Sequence, residues 1–555
     1  MKFLLLVCTR SNNMLKRRQT ELKASAIPLS LHKWTLSNLR GGALAHWNID
    51  SIQPFFPSLE VLFKTNDLEL VGDYGIRFDE ELTSVLSPDS IRTSKFDRKS
   101  VHCKTTMILS PFKWMQGEYG ATIGLPSSSG QSSEISAKIQ SHHNAAYVGS
   151  LVSAVLSQSK CQHFPKVYGV FSGLSKSHTI NISDDYEDLS ERSWFGANIG
   201  KTFELKLADH VREAIEFQHT RTSRPHLNIG ESVELEGVEE LDTEHVEDTE
   251  VAEIQQLLEG SDEEDDESDS SSVSTSYIFK VTSCDCDDEE EEGSIEEEES
   301  EEPFAWATFT NVPVQTTVME KCEGTLYKLM TENSESEKHL AWISQVMFAL
   351  AFAQRNFGLT HNDLHSNNVM YVQTTQEFLY YNCSGSYYKV PTFGYLIKII
   401  DFERGVTSIR LAGMKESKTF MSDHFSVNEE AGGQYNSEPF YNNRFPSVKP
   451  NPSFDLVRLA TSMFWDLFPE GPDHEEYRMN TVFNFFVRWL KQDDGASLMF
   501  GKKDPHHDRY HGFHLYKAIA RYSRECAVPR KEIDYLKPIY GIDSPVGLGD
   551  ILSID

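Results

Sequence analysis

The sequence predicts an α+β fold in two parts: a small antiparallel sheet with a helix packed on it, then a larger, mainly helical region. Three observations point there. Runs rich in β-branched and aromatic residues gather between about residue 101 and residue 320, the composition of half-buried strands. Between the first two of these runs, the stretch 133–158 has no proline and repeats apolar residues at helical steps. After residue 320 helical periodicity takes over, beginning with a long apolar stretch that stops at Gly358.

Residues 1–100 form an N-terminal extension broken by Gly and Pro, as in "GGALAHWNIDSIQPFFPSLEVLF", and no chemistry is legible in it. The opening "MKFLLLVCTR" carries only six apolar residues before Thr9. A secretory core needs about 7–15 and a membrane span about 18 or more, so a short buried strand is expected. Residues 101–320 hold the strand runs "KTTMILSPFKWM", "HFPKVYGVF" and "AWATFTNVPVQTTVME". The helix among them places Ile135, Ile139, Tyr147, Leu151 and Val155 four residues apart or at multiples of four. Residues 321–555 open with "SEKHLAWISQVMFALAFAQRNFG", where Leu340, Ile343, Met347, Leu350 and Ala351 share a face and Gly358 ends the helix.

Charge divides the chain more sharply than hydropathy does. The formal net charge is −32, yet residues 231–302 alone carry 32 Asp and Glu against the single base Lys280, leaving 52 acidic and 51 basic residues elsewhere. The folded part is therefore nearly neutral, and 231–303 is expected to be a disordered acidic insertion that buries too little apolar surface to order itself. A basic partner is the ligand such a segment would recruit; no nucleic acid or membrane is expected. Eight cysteines are scattered without a paired framework, which fits a reducing compartment. The close pair Cys284 and Cys286 has no further ligands nearby to complete a metal site.

The chemistry concentrates just after the long helix, in "GLTHNDLHSNNVMYV". Phosphoryl transfer from ATP needs a carboxylate to orient a hydroxyl and two oxygen ligands for a metal on the phosphates. Asp363 and Asn368 lie five residues apart on this loop, and Asp401 follows at the end of the apolar strand "YLIKII". The pattern resembles the protein kinase superfamily. "HNDLHSNNV" is similar to its catalytic loop (361–368) through His361, Asp363 and Asn368, and "DFE" (401–403) is similar to its magnesium-binding tripeptide. The 33 residues from Asn368 to Asp401 imply an enlarged hairpin. "TTVMEKCEGTLYKLM" resembles the adenine-binding strand and hinge, with Met319 as gatekeeper and Glu320 to Cys322 as the purine-binding backbone, and "SFDLVRLATSMFW" resembles the helix whose Asp, here Asp455, holds the loop. The wording of the loop and the large insertions are most like the kinase-like proteins of large nucleocytoplasmic DNA viruses.

The resemblance implies a two-lobed protein-kinase-like fold, ATP and Mg²⁺ as cofactors, and transfer to Ser/Thr hydroxyls of a protein substrate, in a host cytoplasm or a virion. His365 stands where the family carries a Lys that touches the transferred phosphate, Asn362 where many members carry an Arg, and Glu403 where the tripeptide has Gly. No Gly-x-Gly-x-x-Gly loop is present; "GDYG" (72–75) and "GEYG" (117–120) are its nearest substitutes. Two registers remain for the phosphate-binding lysine. One puts Lys113 on the third strand with Glu134 as its ion-pair partner; the other puts Lys138 there and leaves the helix without a Glu. The departures leave two alternatives to a protein kinase open: a pseudokinase that recruits partners through its acidic segment, and a small-molecule kinase.

Overall fold

In the computed structural model, residues 28–63, 72–119, 124–126, 133–208, 303–501, 505–506, 508–510, 512–543 and 550–554 are described. The expected N-terminal strand, nearly all of the acidic insertion 231–303, Cys284, Cys286 and Gly120 lie outside them.

Six strands build the main sheet: β1 (Ile49–Gln53), β2 (Leu82–Ser87), β3 (Ser90–Thr93), β4 (Lys99–Met107), β5 (Val167–Ser175) and β6 (Val312–Glu320). Their spatial order is β1-β5-β6-β4-β3-β2, and each neighbouring pair is antiparallel. The centre is β6, buried at every residue except its last, as a strand covered on both faces must be. Thr317 of β6 lies opposite Lys104 on one side and Val170 on the other. Helix α1 (Ala145–Ser157) packs on β5 and β6 and buries all but two of its thirteen residues.

Two expectations change here. The sheet begins well before residue 101, because residues 49–93 supply three of its six strands. The helix expected over 133–158 is two helices, Ser133–Ile139 and α1. Asn144 breaks it: its Oδ1 accepts from Ala146 N at 3.1 Å, while its Nδ2 donates to Ile108 O at 2.7 Å. An Asn fully engaged as an N-cap outweighs continued helix.

The helical region holds α2 (Ser336–Phe357), then β7 (Val369–Gln373), β8 (Phe378–Cys383), β9 (Ser386–Pro391) and β10 (Tyr395–Ile399), and then α3 (Phe454–Thr461), α4 (Thr481–Trp489) and α5 (Gly512–Tyr522). Gly358 caps α2 in the left-handed conformation at φ 55°, which a glycine adopts without strain. Strands β7 and β10 pair from Val369↔Ile399 to Gln373↔Tyr395, and the β8–β9 hairpin fills the long interval between them. Among the described residues, no helix is long and apolar enough to cross a membrane.

Candidate active site

The loop leaving α2 is held from several directions. Thr360 and Val406 exchange backbone hydrogen bonds at 2.9 Å each. Buried Asp455, in the first turn of α3, accepts from His361 N at 3.0 Å and from Asn362 N at 2.9 Å. Asn362 sits at φ 66°, a strained region for any residue but Gly that persists only where the surroundings enforce it. Its amide donates to Thr360 O and Arg404 O at 3.1 and 2.9 Å, and its carbonyl accepts from Tyr435 Oη at 2.6 Å. Asn362 is thus a structural clamp.

This framing aims Asp363. Its Oδ1 accepts from Tyr516 Oη of α5 at 2.7 Å, and its Oδ2 lies 4.0 Å from Arg404 Nε. Burial alone would raise the Asp363 pKa, but Arg404, His365, Arg458 and the Tyr516 hydroxyl together hold it well below the usual carboxylate range. The carboxylate is ionised throughout the neutral range. Burial pushes the neighbouring His365 down to about 4, so it is a neutral ring at pH 7 and not a cationic stand-in for Lys.

Pairing of β7 with β10 carries the remaining groups to Asp363. Asn368 Nδ2 donates to Asp363 O at 2.9 Å, and Ile400 N donates to Asn368 O at 3.0 Å. The chain then turns through Asp401 at φ 66°. Its Oδ1 lies 2.6 Å from Lys104 Nζ, and Glu403 Oε1 lies 2.9 Å from the same ammonium. Burial opposes ionisation of Asp401, yet Lys104 outweighs it and holds the pKa down. His361 Nε2 donates to Ile400 O at 2.7 Å, and its ring packs on Phe402 at 5.1 Å. The amide nitrogen of Asn368 is committed to Asp363 O, which leaves its side-chain oxygen free of that bond, and the backbone bond from Ile400 ties Asn368 to the residue next to Asp401. Two hard oxygen donors fit Mg²⁺, which keeps water and phosphate oxygens for its other positions. No group of three His, Cys, Asp or Glu suited to a metal occurs among the described residues.

The lysine at the centre is Lys104, on β4, and neither of the two expected ones. Lys113 falls in a short helix, Pro111–Gln116, because Ser110 caps it and Pro111 is preset for the first helical turn. Lys138 falls in the helix Ser133–Ile139. Both ammonium groups reach Glu429, Lys113 at 3.0 Å and Lys138 in a shorter contact. Glu134 lies in that same short helix, its side chain outside the described residues, so Lys113 is seen with Glu429 instead. The sequence carries part of the signal for Lys104, short of the strand register that selects it. Lys104 opens the run "KTTMIL", and a Ser-Pro after that run marks the strand's end before Lys113.

Met319, the last residue of β6 but one, is buried and lines a cavity with Lys104, Gly149, Gln315, Asp401 and Glu403. Glu320 turns its carboxylate to Lys398 Nζ at 3.0 Å, and its backbone N donates to Lys166 O at 2.8 Å. Cys322 follows β6 in the connection to Gly324. The β2–β3 hairpin is short. Its turn is Pro88–Asp89, and Asp89 O accepts from Val101 N at 2.8 Å. The turn therefore stops level with Val101, about 10 Å of strand short of Lys104 at ~3.3 Å per residue. Of the two glycine pairs, Gly72 and Gly75 precede this hairpin and Gly117 caps the short helix carrying Lys113.

No protein-family model matches the chain, and a search of curated proteins finds no match to it.

Proposed function

We propose that the chain is an ATP-dependent kinase of a two-lobed, protein-kinase-like fold that phosphorylates serine or threonine hydroxyls of proteins. The observation that carries this reading is the convergence of three parts of the chain: Lys104 of β4 pairs with Asp401 after β10, and Ile400 beside Asp401 is bonded to Asn368 of the loop, whose amide holds Asp363 O. Asp363 would orient the acceptor hydroxyl and take its proton. Its low basicity makes orientation the larger part of that work, with proton transfer late. Lys104 would grip the nucleotide phosphates. Asn368 and Asp401 would hold Mg²⁺, which when bound neutralises charge on the phosphates. Met319 would border the adenine, and the backbone from Glu320 to Cys322 would meet the purine edge, since the Glu320 side chain is already committed to Lys398. His361 and Asp455 would position the loop without touching substrate.

The short β2–β3 hairpin favours a second reading, a pseudokinase that binds nucleotide or partners without transferring phosphate, because its turn stops level with Val101 and does not reach over Lys104. Two measurements separate the readings. MgATP is expected to raise the melting temperature by linkage, and radiolabel from ATP is expected to reach peptide pools rather than sugar or aminoglycoside acceptors. Asp363→Asn should keep the melting shift and lose about 10²–10⁴ of the transfer rate. A melting shift with no transfer to any acceptor by the unaltered chain would select the pseudokinase, and transfer to small acceptors alone would select a small-molecule kinase.

A further inference from the structure

Lys104 raises a problem of charge. It lies on a central strand beside β6, half-buried in the cavity that α1 also lines, and an ammonium withdrawn from water needs carboxylate partners. The helix crossing behind it has none to offer: α1 reads "AAYVGSLVSAVLS", without a single Asp or Glu. Where α1 passes the site it carries Gly149. A Cβ there would sit 2.8 Å from Glu403 Cγ and 3.3 Å from Glu403 N, so the missing side chain is the space that Glu403 fills. Glu403 enters from the opposite side, from the segment that bears Asp401. Its Oε1 meets Lys104 Nζ at 2.9 Å and accepts from Thr106 Oγ1, two residues along the same strand, at 2.5 Å. The fit is therefore threefold: a partner for the ammonium, a hydroxyl donor fixing the carboxylate, and a glycine making room.

We infer that Glu403 is the positioning residue of Lys104, replacing a helix-borne carboxylate, so that the phosphate grip is assembled by the metal-bearing segment and is independent of α1. The inference rests on the phosphoryl-transfer reading for its consequence in catalysis, although not for the ion pair itself. Asp401 cannot serve alone, because the proposed function commits it to the metal. When it turns to that task, Glu403 is the carboxylate that keeps Lys104 in place.

The experiment compares four full-length chains: the unaltered protein, Glu403→Gln, Glu403→Gly, and the transposed pair Glu403→Gly with Gly149→Glu. Removing the carboxylate is expected to lower kcat/KM for MgATP about 10- to 100-fold, the range for groups that support a site from behind. The transposed pair is expected to recover at least about tenfold of that loss, which a merely structural role for Glu403 would not allow. With Glu403 shortened to Gly, the atoms nearest the new Cβ are backbone at 3.3 and 3.4 Å, which a small shift accommodates. A second readout does not depend on catalysis. Modification of Lys104 by an amine-reactive acylating reagent, followed by mass spectrometry, should be slow in the unaltered chain, where Asp401 and Glu403 flank the amine at 2.6 and 2.9 Å, and several-fold faster in Glu403→Gln. Unchanged lysine reactivity in Glu403→Gln overturns the proposal, as does failure of the transposed pair to exceed Glu403→Gly in an otherwise active enzyme. Altered reactivity in a chain that transfers no phosphate would uphold the ion pair and refute the kinase reading instead.

Discussion

Replacing Asp455 by Ala should release the loop that aims Asp363, and the size of the effect follows from two hydrogen bonds. The carboxylate is fully buried and accepts from His361 N and Asn362 N at 3.0 and 2.9 Å, and both of those residues are fully buried too. Alanine leaves two amides with no acceptor and no water. Each such orphan costs about 1–3 kcal/mol. Part of this is returned, because burial raises the Asp455 pKa and so marks the carboxylate itself as poorly solvated. The net local loss is then about 2–4 kcal/mol, enough to speed opening of the loop about 30- to 1000-fold at ~1.4 kcal/mol per decade. Asp455→Asn should lie between, since its carbonyl can serve one amide while its NH₂ faces the other. Hydrogen exchange of a peptide spanning 358–368, read against an unchanged far-ultraviolet spectrum, measures this directly. Exchange within about threefold of the parent in both variants would refute the claim that Asp455 organises the loop.

Two further outcomes follow from the same geometry. Lys104→Met should abolish phosphoryl transfer, while Lys113→Met or Lys138→Met alone should leave it within about twofold, because those two share Glu429 and each can stand in for the other; removing both should expose residues 423–431 to faster proteolysis, and loss of transfer in Lys113→Met alone would return that residue to the site. Buried His163, which donates from Nδ1 to Ile397 O at 2.9 Å and accepts from Tyr381 Oη at 2.8 Å, has its pKa pushed down to about 4 by burial. The unfolded chain then takes up the proton first, so stability is fully present above about pH 6.5 and falls as pH drops toward 4. The loss reaches at most about 3 kcal/mol from this residue; urea midpoints between pH 7 and 4.5 should show it, and His163→Gln should flatten that slope.

How much of this could be read in advance depended on whether a residue's role was set locally. The α2 helix and its Gly358 cap were legible because periodicity and a left-handed terminus are both short-range. Asp363, Asn368 and Asp401 were legible as a set because a loop after a helix and the end of an apolar strand are also local features. Lys104 was not, since choosing among the lysines of one region requires the register of β4 against β6, which is fixed by pairing with residues more than two hundred positions away. The same cause hid the first half of the sheet. Strands β2 and β3 are six and four residues long, too short to show a period of two, and their place is decided by β4. The break in the helix expected over 133–158 was hidden for a different reason, as the value of Asn144 as a cap appears only once Ile108 O is beside it.

The four residues from Asp401 to Arg404 explain why the site assembles as a unit. Asp401 reaches Lys104, Phe402 packs on the His361 ring, Glu403 reaches Lys104 and Thr106, and Arg404 stands 4.0 Å from Asp363 and 3.9 Å from Glu430. The side chains of this tetrapeptide therefore reach three parts of the site: Lys104 with its strand, the His361 ring and the Asp363 carboxylate. Displacing the segment would loosen the lysine, the loop histidine and the carboxylate of Asp363 together, because the four residues form one tight turn, with Asp401 at φ 66° and Gly405 N donating to Phe402 O at 2.9 Å. A separate helix carrying the lysine's partner would have made the grip adjustable by moving that helix. Here α1 passes with a glycine and β4 supplies Thr106, so the position of Lys104 is fixed by the sheet and by the chain that carries Asp401. Under the proposed function, regulation of such a site would act most directly on residues 401–404 or on the 423–431 stretch tied to Lys113 and Lys138, two places where charge links distant parts of the chain.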